Sequence, residues 1–299
     1  MTLRSLQIFV AVAECGNMTK AAEKLFISQP SVSLAISDIE REYDVTLFNR
    51  NAGKIQLTHT GRKVLEYARK ILSLELDMEK CMRHEAENYC IRVGATITVG
   101  ATIIGPVIAK MKESIPKVNY HVNVANTHII EKMLLDGEVD VAVVEGEISN
   151  PNLEVRSFLN EHLVLICPPT HPFAARESIN ISELADIPLL LREEGSGTRK
   201  QFDNAMEQNN VEPIVRWSSY SFGALIDAVE NDLGVAVISG LLARKNQKNN
   251  NYHICNIEGD GLSRTFKLIY HKDKYISHIL SKFTEICMDS EFVNKEFLI

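Results

Sequence analysis

The hydrophobic periodicity of the chain changes once, near residue 91, and this change limits the folds open to it. Residues 2–92 follow an almost purely helical pattern with one interruption near 47–57, whereas short β-rich runs alternate with helical stretches from Ile91 onward. Strands separated by helical stretches are typical of βαβ units, so the second region predicts mostly parallel sheets. The sequence therefore predicts a helical N-terminal domain followed by an α/β region.

The α/β region contains more β-rich runs than the roughly five or six strands of an average sheet. We therefore expect two sheets, with the chain crossing to the second near Glu161–His162 and returning to the first around 264–272. The predicted strands are 91–96, 118–126, 139–146, 163–169, 187–193, 214–219, 235–239, 252–258 and 266–272.

Composition is that of an ordinary globular protein. Of the 299 residues, 45% are hydrophobic and 24% are charged. No apolar stretch reaches the roughly 18 residues of a membrane span, and the N-terminus lacks a signal-peptide cleavage pattern. The six cysteines are too far apart for a metal knuckle or a CxxC motif. We expect a cytoplasmic protein with buried thiols, no membrane partner, no metal and no other cofactor.

Three helical segments precede residue 44. Apolar residues at helical spacing mark one face of the first helix, which Gly16 ends, and Thr19 can cap the second helix. Ser28 caps the third helix and places Pro30 in its first turn. The predicted core face of the first helix is Leu3, Leu6, Val10 and Ala13, and that of the third is Val32, Ile36, Ile39 and Tyr43.

The exposed face of the third helix is small and polar at its N-terminal end, as in a helix-turn-helix. Serine and glutamine side chains do not obstruct a major groove and can bond base edges or phosphates. The pattern favours DNA binding over the alternative, a small helical bundle whose serines are only solvated. The exposed residues are Ser31, Ser33, Leu34, Ser37 and Asp38.

A short β-hairpin follows, over residues 47–61. Ile55 and Leu57 alternate with polar residues, and Arg50 and Lys54 bracket the Asn-Ala-Gly turn. This arrangement predicts a two-stranded wing that carries cations toward a DNA backbone or minor groove.

A long helix then runs from Thr60 to Glu85 with apolar residues repeating at alternating spacings of three and four. Such a seam is typical of a coiled coil, and one free helix cannot bury it alone. We expect a second copy of the chain to cover it; the alternative is packing on the rest of the same chain. The dimerisation residues are Val64, Tyr67, Ile71, Leu74, Met78 and Cys81.

These residues resemble the LysR-type transcriptional regulators. The N-terminal match is dense and ordered, and the resemblance continues through the α/β region. It is carried by Leu6–Phe9, Thr19–Leu25, Ser28–Ser33, Leu47–Arg50, Leu57–Gly61, Ile91–Ala95, Leu134–Ala142, Gly195–Arg199 and Leu233–Ser239.

The resemblance implies a winged helix-turn-helix at 1–58, a linker and dimerisation helix at 59–88, and an effector-binding domain at 89–299. That domain would have two subdomains, as in periplasmic binding proteins: subdomain I at about 89–161 and 267–299, and subdomain II at about 162–266. The family commonly assembles as dimers or tetramers and regulates nearby genes in response to a small molecule.

The resemblance also assigns DNA contacts by position. Many members carry an arginine where this chain has Leu34, so a contact to guanine is expected to be replaced by one to a thymine methyl group. The expected DNA-binding residues are Ser28, Gln29, Pro30, Ser31, Ser33, Leu34, Arg50, Lys54, Thr58 and Thr60.

Polar residues follow four predicted strands of the α/β region. Ligands of open α/β sheets bind beyond the carboxyl ends of strands, where helix N-termini point. Each segment alone also fits ordinary helix capping, but four strand ends at one crevice favour binding, and the resemblance places effector contacts here too. The expected effector residues are Thr96, Thr98, Asn126, Thr127, Gly195, Ser196, Gly197, Thr198, Ser219 and Tyr220.

Hydrogen-bond donors outnumber acceptors at these strand ends, which favours a small anionic metabolite as effector. Arg199 could pair with a carboxylate on such a ligand, or with Glu193 or Glu194.

The chain has no GxSxG, GxxxxGK or HExxH motif, so we expect no enzyme. We expect a ligand-responsive transcription regulator whose partners are double-stranded operator DNA, a second copy of itself and a small anion, with RNA polymerase a further candidate. The competing class is a solute-binding protein without DNA function.

Overall fold

The computed structural model describes residues 1–51, 54–82, 90–248 and 251–297. The chain divides into two compact units, one comprising Met1–Asn88 with Leu135–Gly137 and the other Tyr89–Leu134 with Glu138–Ile299. Across the described ranges, no helix combines the length and the apolar character that crossing a membrane requires.

The N-terminal unit packs three short helices and a hairpin against the start of a long helix. Its buried core is built from Leu6, Phe9, Val12, Ala21 and Ile36, and the Phe9 and Phe48 rings lie 5.3 Å apart. The elements are α1 (Leu3–Cys15), α2 (Met18–Leu25), α3 (Gln29–Glu42), β1 (Phe48–Asn51), β2 (Lys54–Leu57) and α4 (His59–Met82).

Helix capping follows local chemistry, with one correction to the predicted caps. Gly16 ends α1 in the left-handed conformation, and Ser28 caps α3 as predicted. The cap of α2 is Asn17, whose Oδ1 accepts hydrogen bonds from the backbone N–H of Thr19 and Lys20, so the predicted Thr19 cap is wrong. Thr19 lies inside the first turn that Asn17 begins.

Two predicted core faces are also partly wrong. On α1 the buried residues are Leu6, Ile8, Phe9, Ala11 and Val12, because Phe9 packs into the domain, while Leu3 is exposed. On α3, Val32, Ile36 and Ile39 are buried as predicted, but Tyr43 lies past the last helical turn and is exposed.

Antiparallel strands β1 and β2 form the predicted wing hairpin, with Phe48 paired to Leu57 and Asn51 to Lys54. Gly61 lets the following helix approach the hairpin, since a Cβ there would collide with the Leu47 carbonyl oxygen.

The second unit contains ten strands and eight α-helices within its described residues, besides 3₁₀ turns at Pro172–Ala175 and Ile181–Leu184. The strands are β3 (Cys90–Ala95), β4 (Asn119–Val124), β5 (Val141–Glu145), β6 (Leu153–Cys167), β7 (Ser178–Asn180), β8 (Pro188–Arg192), β9 (Ile214–Ser219), β10 (Val235–Ser239), β11 (His253–Glu258) and β12 (Ser263–His271). The helices are α5 (Ile97–Thr102), α6 (Ile104–Ser114), α7 (Thr127–Leu135), α8 (Gly197–Gln208), α9 (Phe222–Glu230), α10 (Gly240–Gln247), α11 (His278–Met288) and α12 (Ser290–Phe297).

These strands form two sheets that share β6. The first sheet has the order β4-β3-β5-β12-β6, and in the second β6 continues between β10 and β11, with β8 and β9 beyond β10 and β7 beyond β11. His162 on β6 still pairs with β12, whereas Leu163 pairs with β10, so the chain changes sheets at this point. The α/β class is as expected, with helices on a mixed sheet.

The two sheets contain more antiparallel strand pairs than predicted. The pairs β3–β4, β3–β5, β8–β9, β8–β10 and β7–β11 are parallel, but every pair that involves β6 or β12 is antiparallel. The predicted strand at 163–169 is only the second half of β6, whose first half is largely exposed and lacks an apolar run. Separate hydrophobic cores cover the sheets, one around Phe266 and Phe283 and others around Phe202 and Leu225.

Candidate nucleic-acid interface and ligand cleft

The N-terminal end of α3 presents a small polar surface. Ser28, Gln29, Pro30 and Ser31 are exposed, and Ser33 is half-buried. Ser28 Oγ accepts a hydrogen bond from the Ser31 backbone N–H at 3.3 Å and lies 2.7 Å from Ser31 Oγ. Buried residues on the opposite face hold the helix, so this surface is free to approach a duplex.

Two apolar side chains flank that polar surface. Leu34 is 62% exposed on α3, and Phe26, in the turn between α2 and α3, is 95% exposed. Phe26 has a φ of 55°, in the left-handed region that non-glycine residues seldom adopt. Phe26 is not among the residues predicted from sequence, although an aromatic residue in the turn of a helix-turn-helix was an available signal.

The four residues predicted to contact DNA in and after the wing differ in their surroundings. Arg50 and Lys54 lie on β1 and β2, and their side chains fall outside the described part of the structure. Thr58 Oγ1 donates to the Thr46 carbonyl at 2.7 Å and accepts from the Gly61 N–H at 2.9 Å, so its hydroxyl is occupied within the domain. Thr60 is exposed.

Helix α4 carries a row of apolar side chains that the described residues leave exposed. Val64 is partly buried against the N-terminal core, but farther along, Tyr67, Ile71, Leu74 and Met78 are 40–66% exposed. Cys81, the last residue of the predicted seam, has a side chain outside the described set. The row follows the spacing that predicted a dimer contact.

In the second unit, a small cleft opens at the carboxyl ends of strands from both sheets. Residues that follow β3, β4 and β5 form one wall, and the end of β8 with the start of α8 forms the other. The lining residues are Thr96, Ile97, Asn126, Thr127, Glu145, Arg192, Ser196 and Gly197.

The two walls approach closely at Gly197. A Cβ placed on Gly197 would lie 3.8 Å from Glu145 Cγ and 3.9 Å from Thr127 Oγ1. Ser196 caps α8, since its Oγ accepts a hydrogen bond from the Arg199 N–H. The positive end of the α8 dipole is therefore at the cleft.

Glu145 ends β5 and is only 4% exposed. Its Oε2 accepts a hydrogen bond from Thr96 Oγ1, which comes from the end of β3. Thr127 Oγ1 donates to the Glu145 backbone carbonyl at 3.4 Å. The first-sheet wall thus combines hydroxyl groups with one buried carboxylate.

Arg192 ends β8 and is 2% exposed. Its Nε and Nη2 donate to the Glu193 carboxylate at 2.8 and 2.9 Å, and Nε also donates to the Ser219 carbonyl at 3.2 Å. The guanidinium carbon lies 4.2 Å from the centre of the Phe222 ring. These contacts hold the guanidinium plane in place.

A second buried guanidinium lies beside the cleft. Arg264 on β12 donates from Nε to Glu161 Oε1 at 2.6 Å and from Nη1 to Thr198 Oγ1 at 3.0 Å. Glu161 also accepts from Ser239 Oγ at 2.6 Å. This group ties the strands that cross between the sheets to the first turn of α8.

The cleft contains five of the ten predicted effector residues: Thr96, Asn126, Thr127, Ser196 and Gly197. The other five are not among the lining residues. Thr98 is buried, Thr198 accepts from Arg264, Gly195 is exposed, Ser219 bonds Arg192 through its carbonyl, and Tyr220 is 76% exposed. Arg199 binds Asp203 at 2.8 Å, neither Glu193 nor Glu194.

Sequence reasoning missed Ile97, Glu145 and Arg192, which also line the cleft. The available signal for the last two was a charged residue at the last position of a buried strand, where burial demands a partner. Throughout the described ranges, no three His, Cys, Asp or Glu side chains are grouped to hold a metal ion. That the protein needs no metal or cofactor stays a prediction.

Comparisons with known proteins match both units. The family model described as bacterial regulatory helix-turn-helix protein, lysR family, matches residues 3–62, and that of the LysR substrate binding domain matches residues 84–291. The HTH-type transcriptional regulator CysL of Bacillus subtilis is 32% identical over 267 residues, which cover 89% of each chain.

Solved structures share the fold. A single-residue variant of full-length OxyR from Pseudomonas aeruginosa aligns with a TM-score of 0.72 at 23% identity, over 97% of this chain and 94% of that one. Full-length CbnR, solved in a complex with its target DNA, aligns with a TM-score of 0.64 at 22% identity, over 97% of this chain and all of that one.

Proposed function

This chain belongs to the LysR family of DNA-binding transcription regulators, and we propose that it changes its regulatory activity when a small molecule with an anionic group binds the cleft of the second unit. The observation that carries the proposal is the cleft itself. Its walls come from two sheets, and it contains a buried guanidinium and the N-terminus of α8.

The anionic group would contact Arg192 and the start of α8. Arg192 donates hydrogen bonds from Nε and Nη2 to Glu193, and no described residue accepts a hydrogen bond from its Nη1. Helix N-termini and guanidinium groups are the usual protein partners of carboxylates and phosphates. Thr127 and Ser196 add hydroxyl groups to the same site.

A ligand that contacts both walls favours the conformation in which they are close together. The two sheets share β6, so a change in cleft width would rotate one sheet relative to the other about this strand. We propose that this rotation alters how paired DNA-binding units are spaced on an operator.

On the DNA, the polar start of α3 would enter the major groove and the wing would contact the backbone. The exposed row on α4 would pair with the same row of a second copy, giving a homodimer or a tetramer of two dimers. The family and the uncovered apolar residues support this assembly.

We also propose that the protein acts on the chromosome in the cytoplasm, with RNA polymerase as a candidate partner. We propose no catalytic activity and no cofactor. The relatives that share the family are transcription regulators, which supports a regulator over an enzyme or a solute-binding protein.

The direct test measures binding of the purified protein to the DNA upstream of its own gene, against random duplex of equal length, over a range of salt concentrations. We expect a preference for the upstream DNA and affinity that falls steeply with salt. Equal affinity for both duplexes at all salt concentrations would contradict the proposal.

The effector half is tested with Gly197→Leu, because a side chain at Gly197 enters the cleft between Glu145 and Thr127. A thermal-shift screen of small organic and inorganic anions first identifies a ligand. The variant should lose the ligand's effect on DNA binding and keep the ligand-free DNA affinity. Gly105→Leu is the matched control, since it adds the same side chain to a helix where no atom lies within 4 Å. Equal loss of DNA affinity with and without ligand would argue against an effector role.

A further inference from the structure

Glu145 is the least satisfied charged group in the cleft. A carboxylate offers about four acceptor positions, and burial makes unfilled ones costly. Within the described residues, the hydrogen bond to its carboxylate comes from Thr96 Oγ1, and Arg264 Nη1 lies 3.8 Å away, beyond hydrogen-bond distance. Nevertheless, Glu145 lines the cleft at only 4% exposure.

The neighbouring cations are already committed to other carboxylates. Arg264 is bound to Glu161 through Nε and Nη2, and Arg192 is bound to Glu193. Lys267, on the strand beside β5, donates to the Gly146 carbonyl at 2.6 Å. Two buried guanidiniums therefore serve three carboxylates, and Glu145, whose ion pair with Arg264 is the longer one at 3.8 Å, is the carboxylate that faces the cleft.

A ligand that carried only negative charge would be placed beside this carboxylate. Like charges at close range in a poorly hydrated site repel strongly, so a simple anion would bind at a disadvantage. A positively charged donor removes the repulsion and also fills the unused acceptor positions of Glu145.

We infer that the effector is a small zwitterion of the α-amino-acid class, whose ammonium group binds Glu145 and Thr96 while its carboxylate binds Arg192 and the start of α8. This inference rests on the proposed effector function and specifies its ligand.

The test uses the full-length protein and three matched sets of probes in calorimetric titrations. The first set is the common L-amino acids, the second their 2-hydroxy acid counterparts, and the third the amines that lack the carboxylate. We expect at least one amino acid to bind and both of its counterparts to bind at least about tenfold more weakly, since each lacks one charge-assisted contact.

The variant Glu145→Gln should weaken binding of that amino acid by at least about tenfold and reduce its advantage over the hydroxy acid. Glu285→Gln, on an exposed face of α11, is the matched control and should leave both affinities unchanged. If Glu145→Gln does not fold, the three probe sets on the unaltered protein still decide the question.

The outcomes separate the two proposals. If hydroxy acids or inorganic anions bind as tightly as the amino acid, the zwitterion inference is overturned and the proposed anion-responsive function stands. If amines bind as tightly as the amino acid, the Arg192 contact is wrong and both proposals need a different ligand. If no probe of any set, nor any inorganic anion, binds, both are overturned.

Discussion

Arg264 and Glu161 lie directly opposite each other where β12 pairs with β6, and Arg264 Nε donates to Glu161 Oε1 at 2.6 Å. Both residues are buried, and Glu161 reaches the second sheet through Ser239 Oγ and the Leu241 N–H. The pair therefore marks the place where the two sheets are joined, beside the candidate ligand cleft.

Replacing Arg264 should lower the stability of the protein, because Arg264 neutralises a buried carboxylate. Arg264→Met leaves the Glu161 carboxylate buried without its cation, and we expect the free energy of unfolding to fall by about 3–5 kcal/mol. Denaturant titration would measure the loss. The control is Arg156→Met, at an exposed position on β6, the strand that carries Glu161, and it should change stability by less than about 1 kcal/mol. Equal effects of the two substitutions would show that the buried pair contributes nothing special.

Asp140 gives the protein a defined sensitivity to acid. Burial acts to raise the pKa of Asp140, but hydrogen bonds from Arg92 and the charge of Lys274 outweigh it and lower the pKa from 3.8 to about 2. Arg92 Nη2 lies 2.7 Å and Lys274 Nζ 2.9 Å from Asp140 Oδ1.

Because the folded state holds this pKa below its ordinary value, the stabilisation is fully present above about pH 4 and is lost as the pH falls toward 2. Asp140→Asn should therefore lower stability at pH 7 by about 2 kcal/mol, with a difference from the unaltered protein that shrinks in acid. Melting curves at pH 7, 4 and 3 would show it. Asp260→Asn, at an exposed position, is the control substitution of the same type. A stability difference for Asp140→Asn that stays constant between pH 7 and pH 3 would refute the explanation.

Leu34 should determine part of the operator preference. Leu34→Arg adds a bidentate donor to an exposed position on α3, so we expect tighter DNA binding, a steeper salt dependence by about one ion and a new preference for guanine. Selection of bound duplexes from a randomised pool would reveal the change. Ser281→Arg adds the same charge to α11 and serves as control; the same shift from both variants would mean charge alone is responsible.

The apolar row on α4 should control assembly. The double variant Leu74→Glu, Met78→Glu places carboxylates in the proposed contact between copies, so we expect a shift toward monomers by sedimentation analysis. Leu233→Glu, at a similarly exposed leucine of the second unit, should leave the mass unchanged. An unaltered dimer in the double variant would place the contact elsewhere.

The buried thiols should react slowly. Burial raises the pKa of Cys167 to about 11 and also raises the pKa values of Cys255 and Cys287. The reactive thiolate is therefore scarce at neutral pH. Iodoacetamide labelling at pH 8, followed by mass spectrometry, should modify the half-buried Cys15 and Cys90 well before these three. Early modification of Cys167 would contradict its burial.

Local chemistry accounts for what could be predicted from sequence. The Ser28 cap, the glycine that ends α1 and the buried strands β5, β8 and β10 depend on neighbouring residues or continuous apolar runs. The first half of β6 was not predicted as a strand because it contains no continuous run of apolar residues. Its position in the sheet is set by its pairing with β12.

The cleft was harder to predict because its charges are defined by distant partners. Arg264 and Glu161 are separated by about a hundred positions yet form one hydrogen-bonded pair. Thr198 follows a glycine-rich turn, as expected for a ligand-binding residue, but its hydroxyl accepts a hydrogen bond from Arg264. Thr98 was also expected to contact the ligand, but its side chain is buried. Which polar residues face a ligand depends on these contacts, and local patterns do not contain them.

Strand β6 has a consequence for how the second unit comes apart. Its uninterrupted backbone contributes hydrogen bonds to both sheets, and its buried side chains belong to all three hydrophobic cores of the unit. Neither sheet can release β6 without loosening the other, so we infer that the two sheets melt as a single cooperative block, with their slowest-exchanging amides concentrated along β6.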